Sequence, residues 1–221
     1  LARLTREESQ AQTRARLLEA APHVVAREGY EGASVDKIAE AAGYSKGAFY
    51  SNFSSKEELF LELLERHAGQ DIVDIRRLLD GVIEPQEIID RVCDWADARA
   101  ADSTWGLLAL ELLRRARREA TFGERHAHLF RDQWRSVGEC LLPIAPDWTH
   151  PNPEVLGAVV LNLTYGAASS SPGGGGVSVG DLVRLALTSM RKAYGGGEPV
   201  ADQASQRTGK VTTPRKRQPR V

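Results

Sequence analysis

Apolar residues recur every three or four positions along most of this chain, the spacing that lines up side chains on one face of an α-helix. Ala15, Leu18, Ala21 and Val25 place a first helix over about Thr5 to Glu28, stopped by Gly29. Pro22 lies inside it, removes one backbone bond and presses on the carbonyl of Leu18, at a cost of about 3 kcal/mol in a regular helix, so a bend is expected there. Val35, Ile38, Ala39 and Ala42 define a second helix, capped by Ser34 and stopped by Gly43. Ser45 caps a third, in which Phe49 and Phe53 share a face while Lys46, Gly47, Tyr50 and Ser51 lie largely away from it. Ser54 or Ser55 then opens a long amphipathic segment to about residue 80, carrying Leu59, Phe60, Leu63, Leu64, Ile72, Ile75, Leu78 and Leu79, with Gly69 weakening its middle.

Five further helices follow from the same periodicity. Pro85 opens one bearing Ile88, Ile89, Val92, Cys93 and Trp95; a second runs from about Ser103 to Glu119 with Trp105, Leu108, Ala109, Leu112 and Leu113. A third, from about Phe122 to Leu142, places Phe130, Trp134, Val137 and Leu141 at helical spacing. The stretch 153–168 is the most apolar and carries small residues at Gly157, Ala158, Gly166 and Ala167. The last helix, from about Ser178 to Tyr194, shows Leu182, Leu185 and Ala186, and a glycine-rich loop precedes it. The two late helices suggest a two-fold four-helix interface, with intramolecular core as the competing reading. Beyond Tyr194 the composition turns to glycine, polar residues and Lys210, Arg215, Lys216, Arg217 and Arg220, a disordered basic tail in expectation.

The chemistry concentrates in residues 33–58. Free N–H groups at a helix start attract anions, and Lys46 adds a full charge there. Tyr50 offers a hydroxyl and a flat apolar ring to a base edge or sugar. Lys56 opposes the dipole of its own helix and so suits an outside phosphate. Gly29-Tyr30, Ser34 to Ala39, Ala42 to Tyr50, Phe53 and Ser55 to Leu59 closely resemble the DNA-binding region of tetracycline-repressor-like (TetR) regulators, without a gap over about residues 12–62. A helix pair joined at glycine is common; the joint spacing of Gly43, Ser45, Gly47, Tyr50, Phe53 and Lys56 is specific. Ala48 stands where the family often has threonine, Asn52 where it often has histidine, and Tyr44 where it has a small aliphatic residue.

The resemblance implies an all-α protein. An N-terminal three-helix helix-turn-helix DNA-binding domain (1–55) precedes a C-terminal helical ligand-binding and dimerisation domain (56–195) and the tail (196–221). Ser34, Ser45, Lys46 and Lys56 are candidates for phosphate contacts; Gly47 permits close backbone approach, and Ala48, Tyr50 and Asn52 meet bases or sugars. The implied function is a one-component transcriptional regulator, a repressor in expectation, binding a palindromic operator in double-stranded DNA as a homodimer and released by a small-molecule effector. Trp95, Trp105, Leu108, Leu112, Phe130 and Trp134 could line the effector pocket, which suggests an apolar or aromatic effector.

Composition narrows the alternatives. With 221 residues, 42% hydrophobic and 27% charged, the chain is an ordinary soluble globular sequence, and no apolar stretch is long enough to cross a bilayer. A cytoplasmic protein without a membrane partner is expected. A net charge of -1 argues against nonspecific coating of nucleic acid but not against a local positive surface. Arg3, Arg6, Arg14 and Arg16, mixed with acids, read as a partly solvated arm, and the run Arg114, Arg115, Arg117, Arg118 as a solvated helix end. Cys93 and Cys140 lack metal-ligand spacing and read as buried thiols, with a redox pair as the alternative. His126 and His128 are two apart and point in different directions, so no metal site and no cofactor are expected. No phosphate loop or nucleophile elbow supports an enzyme; a dimeric helical adaptor that has kept an unused DNA head is the nearer rival.

Overall fold

The structure is a computed structural model that describes residues 5–148, 151–170 and 177–194. The arm residue Arg3, the loop at 171–176 and the tail beyond residue 194 lie outside the described residues. Among those described the fold is all-α, an N-terminal helix-turn-helix followed by a helical bundle.

Helix α1 (Arg6–Gly32) opens on a reciprocal cap: Thr5 Oγ1 accepts from the Glu8 N–H at 3.2 Å and the Glu8 carboxylate accepts from the Thr5 N–H at 2.7 Å. Its buried stripe is Thr13, Leu17, Leu18, Ala21 and Val24, whereas Ala15, expected on it, is exposed. Backbone angles stay helical through Pro22, and within the helix only Gly29 leaves them, with φ 72°. Helices α2 (Val35–Ala41) and α3 (Lys46–Tyr50) complete the head, and Ser55, not Ser54, caps α4 (Lys56–Leu78). A first core gathers Leu17, Ile38, Phe49 and Phe60 from these four helices and Phe53 from the turn after α3, which ends at Tyr50 before reaching it.

Helix α4 passes Gly69 without interruption and leaves the first core for a second. Leu59 to Leu64 belong to the first; Ile75 and Leu79 belong to the second, with Ile88, Ile89 and Val92 of α5 (Pro85–Ala100), Val137 and Leu141 of α7 (Ala120–Leu141), Leu156 and Val160 of α8 (Pro153–Ser170), and Val183 and Leu187 of α9 (Val179–Tyr194). On α9 the face turned inward is therefore Val183 and Leu187, while Leu185 stands 68% exposed. Cys93 is buried in this core, which pushes its thiol up to about 11 and leaves it protonated and inert at neutral pH.

Helix α6 (Thr104–Ala116) bridges the two regions. Leu108 and Leu112 insert into the first core together with Phe122 at the start of α7. Helices α7 and α8 meet backbone to backbone at two glycines. A Cβ on Gly157 would strike the Trp134 carbonyl, and one on Gly138 the Pro153 carbonyl. That contact sets the α7–α8 wall of the cavity described next.

Candidate nucleic-acid interface and helical cavity

Local capping places the head's exposed groups. Ser34 Oγ accepts from the Lys37 N–H at 3.3 Å and Ser45 Oγ from the Ala48 N–H at 3.2 Å. Between the helices Gly43 takes φ 79°, and the next N–H, that of Tyr44, returns to the Ala39 carbonyl at 2.8 Å, which ends α2 and turns the chain into α3. Phe49 and Phe53 point into the core, so Lys46, Gly47, Tyr50 and Ser51 face out, Tyr50 at 52% exposure. Lys46 Nζ lies 2.9 Å from Asp36 Oδ2, which joins the first turns of α2 and α3; both side chains are more than half exposed, so the pair is worth little and yields to a phosphate. An added Cβ at Gly47 would meet only Ser45 Oγ, at 3.7 Å. The fold itself does not require glycine there.

Ser34, Ser45, Lys46, Gly47 and Tyr50 thus lie on adjoining exposed turns. Ala48 is half-buried among them. Asn52 and Lys56 are engaged elsewhere. The Asn52 amide turns back to donate to the Ala48 carbonyl at 2.8 Å, and Lys56 Nζ donates to the Tyr30 carbonyl at 2.9 Å while sitting 4.2 Å from the Tyr30 ring centroid. Arg14 is not part of a solvated arm. Its guanidinium lies 4.0 Å from the Phe53 ring centroid and bonds both the Asn52 carbonyl and the Glu62 carboxylate, clasping the end of α3 between α1 and α4. Its position three and four residues before the buried pair Leu17 and Leu18 was the available signal.

A cavity of about 770 Å³ opens between α4, α6, α7 and α8. Trp105, Phe130 and Trp134 line it. Leu108 and Leu112 do not, because they face the first core, and Trp95 packs against the second. The cavity also has polar lining that periodicity does not predict, His67, His126, Gln133, Asn162 and Tyr165, beside the apolar Leu64 and Leu161; three of these, His67, Gln133 and Tyr165, form one network. They rest on Asp71, whose side chain is fully buried. Arg99 Nε donates to Asp71 Oδ1 at 2.7 Å, Gln133 Nε2 to Oδ2 at 3.1 Å and the Tyr165 hydroxyl to Oδ2 at 2.5 Å. Arg99 also reaches Asp74 at 3.2 Å. His67 Nε2 lies 2.8 Å from the Tyr165 oxygen, and its ring stacks on Trp105 with centroids 4.0 Å apart and planes 12° from parallel.

Burial, reinforced by the Arg99 charge, pushes His67 down to about 4, so the ring is neutral at physiological pH. Burial and the Asp71 carboxylate push the Tyr165 hydroxyl up and keep it protonated. Burial also raises Asp71, opposed by the Tyr165 hydrogen bond and the Arg99 guanidinium. Each of four helices supplies at least one member of this network, and on α4 the only sequence trace is His67 and Asp71, four apart within an apolar register. Among the described residues no group of three or more His, Cys, Asp or Glu could hold a metal, and no helix is long and apolar enough to cross a membrane.

A helix-turn-helix head is thus joined by two bridging helices, α4 and α6, to a cavity-bearing helical bundle. The family model for bacterial regulatory proteins of the tetR family matches residues 17–63, the helix-turn-helix head and the start of α4. Over 77 residues it is 43% identical to the transcriptional activator FasR of Mycolicibacterium smegmatis, covering 35% of this chain and 33% of that protein. Over 83 residues it is 37% identical to the transcriptional repressor AcnR of Corynebacterium glutamicum, covering 35% of this chain and 44% of that protein. The chain thus spans a third to under half the length of these curated relatives. The crystal structure of a TetR-family regulator from Mesorhizobium loti superposes with a TM-score of 0.66 at 19% identity, covering 87% of this chain and all of that one, a likeness of fold alone.

Proposed function

We propose that the protein is a one-component transcriptional regulator that binds a palindromic operator as a homodimer and responds to a small molecule in the cavity. The observation that carries this reading is the double engagement of α6. Its Leu108 and Leu112 belong to the core beneath the recognition helix, while Trp105 and Ala109 on the same helix line the cavity. Helix α4 likewise runs from the head core past His67 to the second core. A ligand that favours one tilt of these helices changes the separation of two heads, and shifts operator affinity by its differential affinity for the two states. Half-sites about one helical turn, or a small multiple, apart would match the heads.

On this reading residues 1–55 act as the head, 56–195 as the effector and dimerisation region and 196–221 as the tail, with α4 serving head and effector region mechanically. Ser34, Ser45 and Lys46 contact phosphates, Gly47 lets the backbone approach and Tyr50 meets a base or sugar; Asn52 and Lys56 act from behind by holding the end of α3 and the start of α4. Exposed Val155 on α8 and Leu185 on α9 support the outward faces of these helices as the dimer contact. One relative is named an activator and another a repressor, and repression is proposed here as the mode for an operator lying across a promoter.

Capture of sheared genomic DNA from the source organism on the full chain, followed by sequencing, tests the reading. Enrichment of one short palindrome is expected. Uniform recovery that vanishes at moderate salt would leave only counterion-release attraction and favour a helical adaptor. Leu185→Glu is expected to convert the dimer to monomer in light scattering and to abolish palindrome capture; a dimer unchanged by that charge would move the interface elsewhere.

A further inference from the structure

We propose that the effector is an uncharged, largely aromatic molecule carrying one hydroxyl or N–H group, which donates to Nδ1 of His67. This rests on the cavity being the effector site and adds the chemistry that selects the occupant.

Proton bookkeeping in the buried network fixes what the cavity can offer. The Asp71 carboxylate receives Arg99, the Gln133 amide and the Tyr165 hydroxyl, so it is an ionised acceptor and Tyr165 must spend its only proton on it. The Tyr165 oxygen is therefore the acceptor towards His67, whose Nε2 carries the hydrogen. A neutral imidazole protonated at Nε2 has a bare lone pair at Nδ1. No protein group among the described residues engages that nitrogen, and the ring belongs to the cavity lining. Stacking on Trp105 holds the ring plane, so the acceptor has a fixed direction.

Charged occupants find no counterpart at this end of the cavity. The Arg99 charge is committed to Asp71 and Asp74, so it has no surplus for a carboxylate or phosphate. Both Asp71 oxygens are taken, so an ammonium group has no carboxylate to displace onto it. The rest of the wall is mostly apolar, with Trp105, Phe130, Trp134, Leu64 and Leu161. Its other uncharged polar groups are Asn162 and His126, the latter held neutral by burial, so the wall favours an apolar or π-rich uncharged body. Arg131 at the cavity is exposed, where an anion would remain hydrated.

A matched ligand series separates these terms. The full chain would be dialysed to equilibrium against naphthalene, 2-naphthol, 2-naphthoate and 2-naphthylmethylammonium, which share one ring system. 2-Naphthol is expected to bind about tenfold more tightly than naphthalene, and both charged members more weakly than 2-naphthol. In His67→Phe, which keeps a ring over Trp105 and removes Nδ1, the naphthol preference is expected to vanish. Should that variant not fold, Tyr165→Phe releases the Nε2 hydrogen, lets the imidazole take either tautomer and is expected to lower the same preference. Equal binding of naphthol and naphthalene, or tightest binding of either charged member, would overturn the donor rule while leaving the cavity as the effector site. If none of the four bound at millimolar concentration, the effector-site reading would fall with it.

Discussion

The head and the cavity region use polar side chains in opposite ways. In the head, Ser34, Ser45 and Lys46 act within a few residues of their own positions, and the face of α3 that carries Tyr50 is left open. Around the cavity, His67, Asp71, Arg99, Gln133 and Tyr165 come from four helices and spend their hydrogen bonds on one another. The first arrangement leaves surface for an outside partner of high charge. The second closes a buried network that leaves His67 Nδ1 as an acceptor at the cavity. The proposed function would need both, because operator affinity comes from exposed charge and specific small-molecule binding from desolvated, pre-positioned groups.

The largest expected effect comes from the backbone contact behind the cavity. Gly157→Leu would force α8 off the Trp134 carbonyl and is expected to destabilise the protein by about 4 kcal/mol or more, since neither side of the clash is a flexible side chain. Thermal unfolding measures it. A variant that melts with the parent would mean that α7 and α8 can separate without cost, and the cavity wall would not be rigid. Next in size is Asp71→Ala, which leaves Arg99 with one exposed-side partner and strips Gln133 and Tyr165 of their acceptor. A loss of about 3–5 kcal/mol is expected in denaturant titration. Asp71→Asn, which keeps an acceptor oxygen, should lose less.

A smaller effect is pH-dependent. His67 is pushed from 6.5 to about 4 in the folded protein, so the unfolded chain binds the proton first as pH falls. Its contribution is fully present above pH 6.5 and is lost progressively between 6.5 and about 4, by at most about 3 kcal/mol. The buried His126, also lowered by burial, acts in the same sense. Asp71, raised by burial, takes up its proton earlier in the folded state and softens the low end, while Asp74 and Asp102 favour the His67 cation and Arg99 opposes it. Unfolding free energies across this range should flatten in His67→Phe; a parental slope in that variant would place the titrating group elsewhere.

Legibility in the sequence followed the same division. Caps at Thr5, Ser34, Ser45 and Ser55, the left-handed turn at Gly43 and Pro85 at a helix start are local devices, so the elements they bound could be read directly. The choice of face on α9 is not local. Leu182, Val183, Leu185 and Leu187 offer two overlapping stripes, and close approach of Gly180 to the Cys93 carbonyl of α5 decides for Val183 and Leu187. Periodicity places Leu108 and Leu112 at the cavity for a related reason: α6 is apolar on both sides, and spacing alone does not say which side meets the head. Tyr165 and Gln133 left no pattern at all. Their role depends on a carboxylate 94 and 62 residues away in the chain.

The smallest structural effect gives the sharpest test of the contrast between the regions. Gly47 is helical, its added Cβ would meet only Ser45 Oγ at 3.7 Å, and alanine is the better helix former by about 1 kcal/mol. As far as the fold is concerned, Gly47→Ala should be neutral or slightly stabilising in thermal unfolding. If the α3 surface approaches a DNA backbone closely, the same methyl group occupies the contact distance, and operator affinity is expected to fall about tenfold with no loss of stability. Tyr50→Ala should instead lower discrimination between operator and random DNA. Unchanged affinity in Gly47→Ala, measured at fixed salt by fluorescence anisotropy, would show that α3 stands off the backbone and that another surface of the head carries the contact.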